Sequence, residues 1–399
     1  MKSKVVAITR TNPRPDSGQI SQAVRNALSL LGDLSDIIAP GRLVLIKPNL
    51  VAVPGGINSG AVTNPDVCRA LADFVREMGA RPAIAEASAA GVDTEKVIQA
   101  TGYDRLREQG YEVIDLKKTP QVSLQIPGGR LITGVKTFEP VVKADAIISV
   151  PVLKTHDQTE ATLSLKNLKG LITDQMKKDF HSTGVFDCVV DLASAVKPVL
   201  AVVDGIYGQE GLGPIFGKTV EMDLIVAGRD LVAVDTVCGA IMGFEPGELL
   251  LSVKAAGRGL GTNDLSQISV VGKTIEEVRR RFLRASEDAI VEVEGFNLIF
   301  EEGACTGCRN TVLSSIVDIK NDGNLDLLRG KTVIAGPIEE AKLPKGVLPE
   351  NLVLVGKCTR HLAALGKHAK GCPPNNIWVV QSIVGDKAKR RYATEEIKD

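Results

Sequence analysis

LVLIKPNL, residues 43–50, sets the fold class. Four apolar residues make a short β-rich run, and the run stops at Lys47, Pro48 and Asn49. A helix start follows at Asn64, an N-cap residue, with Pro65 at the first helical position. The amphipathic stretch then continues to Met78, is closed by Gly79 and leads into a second apolar run at 83–85. Strand, helix and strand in that order predict a parallel pair. The pattern recurs outward in both directions. Further strands are expected at 5–8, 146–152, 199–203 and 224–227, and a helix at 231–242 stops at Gly243. The expected first domain, residues 1–295, is therefore α/β with a mostly parallel sheet. A charged stretch, 276–288, reads as a surface helix leading out of it.

The chain has 399 residues, 44% hydrophobic and 24% charged, enough for two domains with cores of their own. Lys+Arg and Asp+Glu each count 48, so no global charge favours nucleic acid or an anionic membrane surface. The start is too polar for a secretory signal, and no run approaches the roughly 20 apolar residues of a membrane span. A cytoplasmic protein is expected, with its seven cysteines as thiols or metal ligands rather than a disulfide framework.

From residue 296 a smaller α/β domain of flavodoxin-like pattern is expected, 296–399. Strands are predicted at 297–300, 332–335, 352–355 and 377–380, and helices from the Cys305/Cys308 loop to about Ile319 and over 362–369. Cys305-Thr306-Gly307-Cys308 and Gly356-Lys357-Cys358 each follow a strand, and Gly371-Cys372-Pro373-Pro374 precedes one. All four thiols fall in loops. Loops after parallel strands share one sheet edge and can converge on a metal centre. Cys305, Cys308, Cys358 and Cys372 are thus candidate ligands of an iron-sulfur cluster, or of a structural zinc with four thiolates. Cys68, Cys188 and Cys238 read as small core hydrophobes. His361 and His368 read as surface residues or as neighbours of the ligands.

The three cysteine motifs, in that order, resemble the proximal-cluster domain of hydrogenase small subunits and of the related quinone-oxidoreductase subunit. The resemblance covers about the last hundred residues. It implies one 4Fe-4S cluster on the four cysteines, with every iron's ligand set closed, and so electron transfer or structure rather than Lewis-acid chemistry.

In the first domain, polar residues follow several predicted strands: Lys47 and Asn49, Glu86 and Ser88, Lys154 and His156, and Asp204. That edge is where open parallel sheets bind ligands. Lys166 and Lys169, three apart, would share a helical face. Together Lys47, Lys154, Lys166 and Lys169 would make a cationic pocket for a carboxylate or phosphate. His156, Lys47 and Lys166 are the candidate catalytic residues, His156 because its ordinary pKa lies nearest neutrality. Asn49, Lys154, Asn167, Lys169 and Asp204 are candidate substrate-binding residues. Asp204 and Asp235 would bind a metal, orient a lysine or cap a helix. The glycine-rich stretch 204–214 lacks a P-loop ending and reads as a lid or turn.

Ile46-Lys47-Pro48-Asn49-Leu50, Thr63-Asn64-Pro65, Lys154-Thr155-His156, Ser164 through Gly170, Asp204-Gly205 and Gly211-Leu212-Gly213-Pro214 resemble the set found in the family called domain of unknown function 362. The likeness spans roughly residues 4 to 275, and members are often described as uncharacterised iron-sulfur-centre proteins. That family is itself distantly similar to the N-terminal part of nickel-dependent lactate racemase. The resemblance implies an iron-sulfur oxidoreductase, of the kind used in anaerobic metabolism, exchanging electrons with a small anionic substrate or second cofactor. Two alternatives remain: an electron-transfer subunit docking on a redox partner protein, and a non-redox isomerase or lyase with a structural cluster.

Overall fold

The computed structural model describes residues 4–196, 198–287 and 291–385. By contact the chain divides into two units. One takes in Met1–Thr155, Ala161–Lys177 and Phe186–Leu283; the other takes in His156–Glu160, Lys178–Val185 and the chain from Arg284 onward.

Strands in the first unit are β1 (Val5–Arg10), β2 (Leu43–Pro48), β3 (Arg81–Glu86), β4 (Val113–Asp115), β5 (Gln121–Gln125), β6 (Gly134–Phe138), β7 (Ala146–Val150), β8 (Val152–Thr155), β9 (Ala161–Thr162), β10 (Leu200–Glu210), β11 (Lys218–Gly228) and β12 (Ser269–Gly272). The second unit has β13 (Asn297–Phe300), β14 (Thr332–Ala335), β15 (Leu352–Val355) and β16 (Lys367–Ala369). The helices are α1 (Ser17–Leu30), α2 (Pro65–Glu77), α3 (Thr94–Ala100), α4 (Tyr103–Glu108), α5 (Glu139–Lys143), α6 (Ser164–Asn167), α7 (Asp174–Thr183), α8 (Val185–Val196), α9 (Leu231–Ile241), α10 (Leu250–Ala256), α11 (Ile275–Val278), α12 (Thr306–Asn321) and α13 (Asn376–Val384).

The main sheet runs β12-β1-β11-β10-β7-β2-β3-β4, with β8 and β9 branching from β10. From β2 the chain winds outward through β3 and β4, all parallel; then it returns to β2's other side and continues through β7 to β10, again parallel. The strand order therefore reverses between β2 and β7. Helices on opposite faces leave a crevice at such a switch point, at the strands' carboxyl ends. Ile46, Ile148 and Val202 are fully buried there, each worth roughly 1.5–3 kcal/mol of apolar burial. Asn64 caps α2 by accepting from the Asp66 amide, as the Asn-Pro signal predicts.

Three expectations in the first unit change. The strand expected over 146–152 is cut by Pro151, whose carbonyl accepts from the Asp204 amide instead. Residues 204–210 are strand rather than lid: β10 stays paired with β11 as far as Glu210. Gly208 allows this, because a Cβ there would come within 2.7 Å of the Leu153 carbonyl. Over 276–288 the structure is helical only in α11. Past it the Arg280 and Phe282 amides donate to the Ile241 and Met242 carbonyls at the end of α9, which carries Phe282 into the core. Asp288, the last residue of that expected helix, lies outside the described residues.

In the second unit β13 to β16 form one all-parallel sheet in sequential order. The helix expected over 362–369 is a 3-10 turn, Lys357–Leu362, followed by β16. Gly366 breaks it and lets the chain close on β15, where a Cβ would stand 2.6 Å from the Leu352 carbonyl. The strand expected over 377–380 is α13, started by Asn375, whose side chain accepts from the Ile377 amide. Val379, Val380 and Ile383 lie in the core on one helical face, and that packing overrides their β propensity.

Candidate functional site

Lys47 ends β2 at the switch point, 1% exposed, and all three of its ammonium donors are engaged. They go to Glu86 Oε2 at 2.8 Å, Asn167 Oδ1 at 2.8 Å and the Pro48 carbonyl at 2.6 Å. Asn167 returns its amide to the Lys47 carbonyl (2.9 Å) and Ser149 Oγ (3.1 Å), tying β2 to β7. Glu86 accepts also from the Leu50 and Ala87 amides. Gly170 covers the pair: a Cβ there would stand 1.9 Å from Glu86 Oε1 and 2.6 Å from Lys47 Nζ. Burial lowers the Lys47 pKa against the pull of Glu86. Lys47 and Asn167 thus meet in a saturated ion-pair network.

Lys154 is fully buried on β8 and donates to neutral oxygens: Asn49 Oδ1 at 3.3 Å, Ala61 O at 2.6 Å and Pro214 O at 3.1 Å. Burial, with the nearby charge of Lys47, brings its pKa down to about 7. Lys169 is brought to about 7 by burial and the charge of Lys177. Lys177 itself is lowered to about 8 by burial, and donates to the Ala87 and Ser88 carbonyls and to Asp174 Oδ1. Lys177 was not among the residues expected. Its segment carries no motif, and only tertiary folding brings α7 to the end of β3.

Asp204 accepts from the Asn64 amide (2.7 Å) and the Ile206 amide (3.1 Å), so it anchors the start of α2; burial raises its pKa to about 6. Asp235 accepts from the Ser164 and Leu165 amides at the start of α6, and burial raises it to about 7. Both therefore hold helix starts, as the third of the expected roles had it. Lys166 is buried on α6. His156 belongs to the second unit, its Nδ1 2.7 Å from Asp157 Oδ1 and 2.9 Å from the Gln158 amide.

A hollow of about 230 Å³ lies at the amino end of β7, lined by Val141, Ala146 and Ile147 among others. It is on the edge opposite the lysines and offers an anion nothing.

In the second unit Cys305 caps α12 and Cys308 lies in its first turn rather than in the loop. Cys358 follows β15 in the 3-10 turn. Cys372 follows β16 and precedes a helix, not a strand. This correction matters, because a loop before a parallel strand would lie on the opposite edge. As folded, the cysteine segments follow β13, β15 and β16, so all stand at one carboxyl edge. Gly356 has φ +94°, and a Cβ on it would stand 2.9 Å from Cys308 Sγ. The Gly371 carbonyl accepts from the Lys357 amide, joining the Cys358 and Cys372 loops. Cys372 is itself clasped: its amide donates to the His181 carbonyl and its carbonyl accepts from Val185.

The Cys305 pKa is lowered to about 6 by the hydrogen bond from Cys308, aided by the Gly307 and Cys308 amides at the helix start. Cys308 is raised, by that same bond, by burial and by the charges of the other three thiols. No cysteine is in a disulfide. Cys305 and Cys358 are exposed and Cys372 is half-buried. Among the described residues no group of three or more His, Cys, Asp or Glu is arranged to hold a single metal ion. A four-iron cluster is a wider body that takes one thiolate per iron. Four thiols within charge range of one another, on loops that glycines let approach closely, fit such a group. His361 and His368 each bond a backbone carbonyl, Ile338 and Gly356 respectively. No helix among the described residues is long and apolar enough to cross a membrane.

Among solved structures, the lactate racemase apoprotein from Thermoanaerobacterium thermosaccharolyticum aligns over 96% of this chain and 90% of its own, at 14% identity and a TM-score of 0.39, too distant a likeness to bear on activity. The thylakoid-associated protein sll1697 of Synechocystis sp. is 31% identical over 262 residues, which are 62% of this chain and 77% of that protein. The model of the Domain of unknown function (DUF362) matches residues 44–240, which hold both the Lys47 network and Lys154. The chain belongs to the DUF362 family.

Proposed function

We propose that this protein is an iron-sulfur oxidoreductase of the cytoplasm, with Cys305, Cys308, Cys358 and Cys372 as ligands of a 4Fe-4S cluster and a small anionic substrate bound at the switch point of the first unit. The observation that carries the reading is the common edge: three segments, far apart in sequence, bring four thiols, none of them in a disulfide, to the carboxyl ends of one parallel sheet. Ionised together, these thiols would repel; Cys308 is raised first by its hydrogen bond to Cys305 and by burial, and then by the charges of the other three. A cationic inorganic core relieves the repulsion. When bound, such a cluster supplies one-electron exchange.

The chain's own contribution begins with Cys305, whose thiolate is favoured by the hydrogen bond from Cys308 and then by the amides at the start of α12. Exposure of Cys305 and Cys358 leaves the cluster edge open to an electron donor. In the first unit, Glu86 and Asn167 hold Lys47 immobile, while Lys154 keeps an ammonium with no carboxylate partner for an incoming oxyanion. Lys166, Lys169 and Asn49 remain candidates for orienting or protonating the substrate.

The test is metal analysis of protein purified without oxygen. Iron and acid-labile sulfide near four per chain, with visible absorbance bleached by dithionite, are expected, and Cys358→Ser, at an exposed position, should lose most of the iron while keeping its circular dichroism. Stoichiometric zinc, or no metal, overturns the proposal. A second reading, proton transfer by a non-redox isomerase or lyase, is favoured by Lys154, whose pKa of about 7 suits acid-base work. It requires turnover that ignores the redox state of the cluster.

A further inference from the structure

Lys154 and Gln209 are register partners on β8 and β10, and each reaches the same two loops. Lys154 Nζ holds Ala61 O and Pro214 O; Gln209 Nε2 holds Ser59 O and Ile215 O, both at 3.2 Å. One loop, 51–62, ends in these carbonyls after Gly55 and Gly56; the other is 211–217. Both are seated tightly. A Cβ on Gly60 would come within 2.1 Å of the Gly208 carbonyl, and one on Gly217 within 2.5 Å of Gln209 Cγ. Their outer sides are surface, with Val53 48%, Ile57 44% and Phe216 44% exposed. Two loops at the surface are thus pinned to each other from beneath by one ammonium and one amide.

We infer that loops 51–62 and 211–217 form a double-latched gate over the switch point, and that a ligand's oxyanion enters by taking the Lys154 ammonium from the Ala61 and Pro214 carbonyls. The chemistry favours the exchange. An ammonium bonded only to neutral oxygens is poorly compensated in a buried site, and a hydrogen bond to an anionic oxygen is about twice as strong as one to a neutral oxygen. Asn49, which contacts Lys154 from the end of β2, stays behind as the fixed wall. Gln209 keeps the loops in register while the first latch is open. This inference rests on the anionic-substrate part of the proposed function and is independent of the cluster.

Amide hydrogen exchange, read by mass spectrometry on the full-length protein, tests it. Lys154→Met, of similar length and uncharged, should speed exchange in both loops together by about 10-fold or more. In the unaltered protein, inorganic phosphate or acetate should change exchange in both loops at once, and the more effective anion identifies the head group. That response should vanish in Lys154→Met. Gln209→Met, which spares the ammonium, should loosen both loops yet keep the anion response. It carries the test alone if Lys154→Met does not fold. Loops that exchange independently of one another, or an anion response that survives Lys154→Met, overturn the inference. Iron content separates the two claims: the gate can fail with iron retained, or the cluster assignment can fail while the gate still answers to anions.

Discussion

The lysines at the switch point and the cysteines at the second sheet's edge are both clusters of like charge, yet they are held in opposite ways. Lys47 is buried, paired with Glu86 and saturated with hydrogen bonds. Cys305 and Cys358 are exposed, on loops whose glycines tolerate close approach without filling the space. The first cluster is held by a carboxylate and neutral oxygens; in the second, Cys308 keeps its proton and donates to Cys305, so protonation rather than an ion pair limits the charge. A network completed by the protein resists change at every member.

The contrast can be broken most forcefully at Glu86. Glu86→Ala leaves Lys47 buried without its carboxylate and should cost about 3–5 kcal/mol in urea denaturation; a cost under about 1 kcal/mol would show that the network is not saturated in solution. Next is Lys154. Its folded pKa, about 7, lies below the ordinary 10.5, so between those values the unfolded chain binds a proton that the folded chain does not, and stability rises with pH. The stability of Lys154→Met relative to wild type should therefore be highest below pH 7 and fall as pH climbs toward about 10.5. Denaturation midpoints across that range check the sign, and a constant difference would contradict it.

Gly170→Ala should cost about 1–3 kcal/mol, because its Cβ overlaps Glu86 and Lys47 at their bonded ends. A neutral result in the same denaturation assay would mean that the Lys47 pair can shift. The smallest effect sharpens the other half of the contrast. In iron-free protein iodoacetamide should modify Cys305 before the other three ligands, with half-maximal reactivity near pH 6, as peptide mass spectrometry would report. Equal labelling of Cys305 and Cys308 would deny the helix start its role.

The cysteine edge was legible because spacing carries it: Cys-x-x-Cys and glycines beside each thiol survive without knowledge of the fold. What misled was local propensity. Ile377 through Val380 look like strand and form helix, and residues 362–369 look helical yet supply β16, because the decisive contacts are with β15 and the core. The lysines at strand ends were legible as positions on a ligand-binding edge. Their states were not, since Lys47 is fixed by Glu86 and Asn167 from other segments, and Lys177 arrives from a stretch with no motif. His156 was grouped with those lysines by sequence proximity to Lys154, and one residue past the end of β8 its contacts belong to the other unit.

The clasp on Cys372 has a bearing on biogenesis. Its two backbone bonds go to His181 and Val185, so the Cys372 segment is not a detachable tail. A fragment beginning at residue 284 would lack the brace for this thiol. If the proposed cluster is bound, its assembly on Cys372 would have to await the meeting of this segment with residues 181–185.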